Sequence, residues 1–459
     1  MTPMRRREFL PLAFAQAAPD SVRFRPEIEP LAALIERTER DKIAEAVVAR
    51  MRLGASYRQV MAALFLAGIR NVNPRPPGFA LHCVFVMQAA HQLSLEAPPG
   101  QRLLPLFYAL DLFKLSQERD AKQEKGDWSM RAMGRTLLAP SRAAAELTAA
   151  MDAWDPDRAE RAVASLARSE SAPSIFDLLW KYAARDFRNI GHKAIFAANA
   201  YRTLQTIGWQ HAEPVLRSLV LGILDFEPSR EMDGFDMAKQ TWTANQRRVK
   251  DTFAKLPESW AGAPSDPAAV RTALRAMRTA SPDDACAETA SLVTKGRAGA
   301  DSAWDAVHLA AAELALRSGP GNTIRGIHAV SAANGLHQAF LAANDPRDRL
   351  LLVLQAAGWM TQFRVSMEAR PKDLRSHAID EGGPRPVSFD AAMRMAFAKG
   401  DEVHYYKFLA ALIEDSQLVS PEWRPRVASA LPVYSKTEAD KDYPPMERAR
   451  EALRGLGAA

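Results

Sequence analysis

An all-α fold of diverged helical-hairpin repeats, stacked as a solenoid or closed as a helical array around a central pocket, is what three features of this chain predict. Ala, Leu, Arg, Glu and Met fill windows such as 44–53 and 144–151, with apolar residues returning at three- and four-residue spacing. The period-two alternation that marks strands is scarce. Three segments also share one plan, and self-similarity at this scale is the signature of repeat architectures.

In the first repeat, assigned to 19–150, a helix at 57–67 leads through a Pro-rich loop to Leu81-His82, then to Ala89-Ala90-His91-Gln92-Leu93 and to Arg102-Leu103-Leu104-Pro105-Leu106-Phe107. The second, 151–285, runs from a helix at 175–184 through Asn189-Ile190-Gly191-His192 to Ala200-Tyr201-Arg202-Thr203-Leu204 and Val215-Leu216-Arg217-Ser218-Leu219. The third, 286–385, places a helix at 303–315 before Ile327-His328, Gly335-Leu336-His337-Gln338-Ala339 and Arg349-Leu350-Leu351-Leu352-Val353-Leu354. A second anchor follows the first at the same offset in every copy, pairing His82 with His91, His192 with Tyr201 and His328 with His337. The spacing widens between the second and third copies, which predicts a loop-rich insertion in the Gly/Pro/Asp-rich stretch 226–284. A partial fourth copy, 386–459, opens a helix after the break Gly400-Asp401-Glu402-Val403-His404. Each hairpin is too small to bury its own apolar stripe, so neighbours must stack, and equivalent positions then face the same surface or cavity.

Length and composition bound the function. The 459 residues exceed one ordinary domain of about 100 to 200 residues, as a repeat array requires. Hydrophobic residues at 47% and charged residues at 25% are globular values, and no run reaches the roughly 18 apolar residues of a membrane span. The net charge of +6 is spread along the chain rather than gathered into an aromatic-interleaved stripe, which argues against nucleic-acid binding. Cys83 and Cys286 are far apart and lack metal-ligand spacing, so neither a disulfide nor a thiolate site follows from them. Arg6-Arg7-Glu8-Phe9-Leu10, a short apolar stretch at 11–18 and the A-x-A steps Ala13-Phe14-Ala15 and Ala15-Gln16-Ala17 fit a twin-arginine signal over 1–18. That signal predicts a bacterial, periplasmic protein; a frayed basic tail on a cytoplasmic protein is the other reading.

His82, His192, His328 and His404 each fall at or near the first turn of a helix after a loop. There the helix dipole disfavours the protonated ring, and a neutral imidazole is what metal ligation or general-base work requires. The four could bind iron, copper or zinc, or line a pocket that positions and deprotonates an organic substrate. A repeat copies structural residues as faithfully as functional ones, so capping and packing are the competing explanation. His91 and His337 turn to the opposite helix face and read as core or interface residues with Tyr201; His211, His308 and His377 have no repeated counterparts. Trp180, Trp209 and Trp359 read as core. Asp283-Asp284 and Glu414-Asp415 read as loop or exposed-face acids. GxGxxG, GxxxxGK[ST], GxSxG, HExxH and EF-hand patterns are absent from the sequence, which sets aside nucleotide-triphosphatase and common hydrolase chemistry.

The His-bearing segments resemble the questin oxidase-like family, whose members oxidise polyketide-type aromatic substrates in a Baeyer–Villiger manner. The resemblance rests on Gly191-His192-Lys193-Ala194-Ile195 with Tyr201, on Ile327-His328-Ala329-Val330-Ser331 through Leu336, on Asp401-Glu402-Val403-His404-Tyr405-Tyr406-Lys407, and on Leu81-His82 with Ala90-His91, together about a third of the chain. It departs from the family in the export-like N-terminus and in a first motif with His82 and His91 where the family favours adjacent histidines. The resemblance implies an all-helical, monooxygenase-like oxidoreductase whose histidines border an interior pocket; a small hydrophobic, aromatic or polyketide-like molecule is the expected substrate class, and the cofactor is left open, with a transition metal or NADPH compatible. His82, His192, His328, His404 and Lys407 are the residues it carries over. A non-catalytic repeat module binding a protein partner on a concave surface is the alternative. Convergence of the four histidines separates the two.

Overall fold

The computed structural model describes residues 20–122, 128–134, 136–225, 238–295, 298–381, 383 and 385–456. The twin-arginine segment at 1–18 lies outside them. Among the described residues there are twenty α-helices with loops and 3-10 turns between them, and strand-like pairing is confined to isolated bridges between Ser21 and Arg131 and between Ser318 and Leu374. The chain is all-helical, as its periodicity predicts.

Local chemistry accounts for where the helices begin. Tyr57–Asn71 starts at a reciprocal capping box, the Ser56 side chain accepting from the Gln59 backbone while the Gln59 side chain accepts from the Ser56 backbone. Asp155, Asp266, Ser281 and Asp345 each cap a helix whose next residue is proline. Proline is tolerated there because the first-turn N–H has no intrahelical partner. This corrects the expected loop-rich insertion. Its residues 226–237 lie outside the described set, but Ala238–Thr252, Pro267–Thr279 and the start of Pro282–Thr294 fill most of the remainder, because its Asp-Pro and Ser-Pro pairs open helices instead of interrupting them.

Four helices sit at the centre: His82–Glu96, His192–Ile207, Thr323–Ala342 and His404–Leu418. His82–Glu96 packs on His192–Ile207 and on His404–Leu418, and Thr323–Ala342 packs on the same two, so the four contact one another in a cycle. They are buried around most of their circumference, the pattern of helices enclosed by others. Gly335 permits a close approach of two of them, since a Cβ there would stand 3.3 Å from the Ala194 backbone. Arg202 and Glu414 each lie ten residues beyond the histidine of their own helix and are ion-paired at 2.7 Å. Asn334, beyond His328, donates to the same Glu414, and Gln92, beyond His82, donates to the Ala410 carbonyl, so with the four histidines together at one end all four helices run in the same direction.

The outer helices complete the core. Tyr57–Asn71 and Leu104–Ala121 cover His82–Glu96, Ala212–Ile223 covers His192–Ile207, Ala300–Arg317 and Pro346–Glu368 cover Thr323–Ala342, and Phe389–Lys399 covers His404–Leu418. Trp180 and Trp359 are fully buried core residues, and Trp209 packs against the same core from a half-buried position. Cys83 and Cys286 are buried free thiols. No helix of the described residues is long and apolar enough to cross a membrane.

Candidate metal centre

The four parallel helices bring His82, His192, His328 and His404 together at one end of the bundle. His192 Nε2 lies 3.2 Å from His82 Nε2 and 3.1 Å from His328 Nε2, and His404 Nε2 lies 3.3 Å from His328 Nε2. His82, His328 and His404 also form a set whose ligand nitrogens all lie within 4.8 Å of one another. Three ring pairs meet edge-on, with planes crossing at 86° for His82 and His404, 71° for His192 and His328 and 62° for His328 and His404, and His82 and His192 are tilted at 43°. Their nitrogens, not their faces, converge.

Each ring is aimed by its own helix start. His82 opens its helix after the 3-10 turn Phe79–Leu81. His192 follows three residues with left-handed backbone, Asn189 (φ 57°), Ile190 (φ 49°) and Gly191 (φ 84°). A β-branched residue rarely accepts that conformation, and strain of this kind persists only where the surroundings over-determine it. The turn places the Asn189 carbonyl 2.8 Å from His192 Nδ1, and the Asn189 side chain donates to the Pro77 carbonyl. His328 sits in the second turn of Thr323–Ala342 rather than the first, with Nδ1 2.7 Å from the Ile324 carbonyl. Glu402 holds His404 twice: one carboxylate oxygen accepts from its backbone N–H at 2.9 Å and the other meets Nδ1 at 2.7 Å. Tyr434 in turn donates to Glu402 at 2.9 Å.

These contacts fix the protons. A carbonyl oxygen only accepts, so Nδ1 of His192 and of His328 must carry hydrogen, and the Glu402 carboxylate imposes the same on His404. Nε2 of all three then presents a lone pair. Burial, and after it the positive charge of Lys407, holds His82 and His192 well below the ordinary imidazole range; burial, the neighbouring rings and Lys407 do the same for His328. His404 is also lowered by burial, against the opposing pull of Glu402. Desolvation is therefore the largest influence keeping these rings neutral.

Lys407 lies one turn after His404. Its Nζ is buried without a hydrogen-bond partner, 5.4 Å from the Phe85 ring, and burial pushes the amine down to about 8. Beside it, Gln88, Gln92, Asn199, Arg202 and Asn334 border a space of about 20 Å³, the room of a single water. An organic substrate needs a site many times larger, on the order of 300 Å³ or more. The histidines thus form a packed centre, and the broad pocket expected beside them is not seen among the described residues.

The residues that sequence reasoning missed lie farther along the same helices. Asp415 is buried, not exposed: Asn334 donates to it at 2.8 Å, and His308 Nδ1 stands 3.3 Å from its other oxygen. His308 Nε2 meets His337 Nδ1 at 2.8 Å, and Trp304 stacks on His337 at 4.2 Å. Glu414 accepts from Arg202 and from Asn334, both at 2.7 Å. His337 is a core residue as its opposite-face position predicts, whereas His308, Glu414 and Asp415 carry more of the internal polar network than their sequence positions suggested. His91 accepts or donates at 3.2 Å to the Tyr57 hydroxyl, away from the centre.

Comparison of the chain with protein-family models, with curated proteins and with solved structures finds no match in any of the three.

Proposed function

We propose that the four histidines hold one transition-metal ion and that the chain is an oxidoreductase acting on a hydrophobic, aromatic or polyketide-like small molecule, in the manner of the questin oxidase-like family its motifs resemble. One observation carries the metal reading. Lone-pair-bearing nitrogens of His192, His328 and His404 are held 3.1 Å and 3.3 Å apart with their protons locked on the far side of each ring. Neutral nitrogens in that arrangement repel, and a cation between them turns repulsion into coordination. Metal–imidazole bonds of about 2.0–2.1 Å set neighbouring nitrogens roughly 3 Å apart, which matches the three neighbour contacts of 3.2, 3.1 and 3.3 Å, and the nitrogens of His82, His328 and His404 all lie within 4.8 Å of one another. The carbonyls and Glu402 act as the outer partners that orient metal-binding histidines.

An all-imidazole set suits iron, copper or zinc, and oxidation chemistry selects iron or copper among them. When bound, such an ion supplies the electron-transfer step. Lys407 is the group on this chain suited to move a proton: its amine is close to half-neutral near pH 8 and has no competing partner. Convergence of the histidines at one point, rather than along a concave surface, favours this reading over a repeat scaffold that binds a protein partner. Because the space beside Lys407 holds about one water, substrate entry requires the wall of the centre to open. The diverged hairpins, closed around the four His-bearing helices, supply that wall.

The test is oxygen consumption by metal-reconstituted protein offered a panel of hydroxylated polycyclic aromatics. The reading predicts turnover that disappears in His328→Ala and falls sharply in Lys407→Met. Turnover equal in native protein and in His328→Ala contradicts it.

A further inference from the structure

A second cleft lies behind His192, built by the other side of the segment that aims it. It encloses about 410 Å³, and Trp154, Lys181, Tyr182, Arg185, Arg188 and Trp242 are among its walls. Arg185 is its most unusual member. The guanidinium is buried and lies flat on Trp154, its carbon 3.7 Å from the ring centroid. Its Nη1 donates to the Met151 carbonyl at 2.9 Å, but Nε and Nη2 have no hydrogen-bond partner. Those two nitrogens form the edge of arginine that grips a carboxylate or phosphate with two parallel hydrogen bonds.

The neighbouring acids are occupied. Asp186 takes the ammonium of Lys193 at 2.8 Å and lies 3.6 Å from Arg188, while Asp152 accepts from the Tyr182 hydroxyl at 2.9 Å. Arg185 itself makes no ion pair among the described residues, and a buried guanidinium with an unpaired edge is costly until an anion arrives. Burial draws the Arg185 guanidinium down to about 10, against the opposing pull of Asp186. Trp154, the platform beneath Arg185, takes the left-handed conformation (φ 54°) that ends the helix Pro140–Asp152 and turns its ring under the guanidinium.

We propose that this cleft binds a small organic anion, a flat ring bearing one carboxylate or phosphate, with the anionic oxygens on the Nε–Nη2 edge of Arg185 and the ring against Trp242 and Tyr182. Lys181, at the rim, adds a second, weaker attraction. The proposal uses none of the histidine reading, so metal-stripped protein should bind equally well.

Benzoate and phenyl phosphate are the probes, with benzamide as the uncharged control, and binding is read from tryptophan fluorescence and from the shift in melting temperature. At least one of the two anions should bind saturably and raise the melting temperature, while benzamide does neither. Affinity should fall at least about tenfold in Arg185→Gln, because a hydrogen-bonded charge is lost, and several-fold in Lys181→Ala. Arg185→Gln should fold normally, since it removes an uncompensated cation. Should that variant fail to fold, Lys181→Ala and the salt dependence of wild-type binding carry the test. The proposal is overturned if neither anion binds saturably into the low millimolar range, if benzamide binds as well as benzoate, or if both variants bind like the wild-type chain.

Discussion

At the scale of single residues, the four imidazoles explain one another. A buried histidine that served only packing would give each nitrogen a complementary partner, yet His192, His328 and His404 spend their donors on Asn189, Ile324 and Glu402 and turn bare lone pairs toward a common point. This predicts an unusual result for His328→Gln. In metal-stripped protein the melting temperature should stay level or rise, because the amide NH2 offers donors to the facing nitrogens. A merely structural histidine would instead cost about 0.5 to 1.5 kcal/mol for the hydrogen bond it gives to the Ile324 carbonyl. Thermal denaturation of the stripped wild-type and variant chains decides between them.

The same protonation pattern fixes a pH dependence. His82, His192, His328, His337 and His404 have folded-state values below the unfolded histidine value near 6.5. Between those values the unfolded chain binds more protons than the folded one, so stability falls as pH drops below about 6.5. Each such group contributes up to about 1.4 kcal/mol per pH unit. Asp348, raised to about 6 by burial, and Asp415, also raised by burial, pull the other way but are fewer. Denaturant melts of the metal-free chain from pH 7.5 to 5 should show a steep loss; a flat profile would mean that the rings are not held neutral.

At the scale of elements, the turn before His192 is where backbone and site are most tightly coupled. Gly191 needs a positive φ, and a Cβ there would fall 2.7 Å from that of Ala332 and 3.3 Å from Trp359. Gly191→Ala should therefore cost more than about 2 kcal/mol in stability and weaken metal retention by moving His192, both measurable on the purified variant. The helix starts were largely readable from sequence, since caps, prolines and the Gly191-His192 and Asp401-to-His404 breaks are local signals. The insertion was misread for a local reason as well: Asp266-Pro267 and Ser281-Pro282 look like breaks, yet the same pairs are good first-turn chemistry. Glu402 was quoted within its motif, but its grip on His404 depends on a side-chain direction that spacing does not give.

At the scale of the whole molecule, the recurrence of a histidine at or near a helix start after a loop made His82, His192, His328 and His404 legible as a set, and the structure brings their rings together. What sequence could not show is set by packing between distant segments: the burial of Asp415 against His308, the pairing of Arg202 with Glu414, and the small volume left beside Lys407. The N-terminal reading stands apart from the fold and has its own test. Arg6→Lys with Arg7→Lys should keep the chain in the cytoplasm at full length, whereas the native chain should be recovered from the periplasm shortened near residues 15–18; native chain found intact in the cytoplasm contradicts export.

The central claim is that the four histidines exist to hold a metal, and elemental analysis of the full chain addresses it most directly. Protein purified from its own host, or stripped and then reconstituted with iron, copper or zinc in turn, should retain close to one ion per chain after extensive dialysis, and His328→Ala should retain none while keeping its helical circular dichroism. A wild-type chain that keeps no stoichiometric metal under any of these conditions, or a His328→Ala variant that keeps as much as the native protein, would contradict the account.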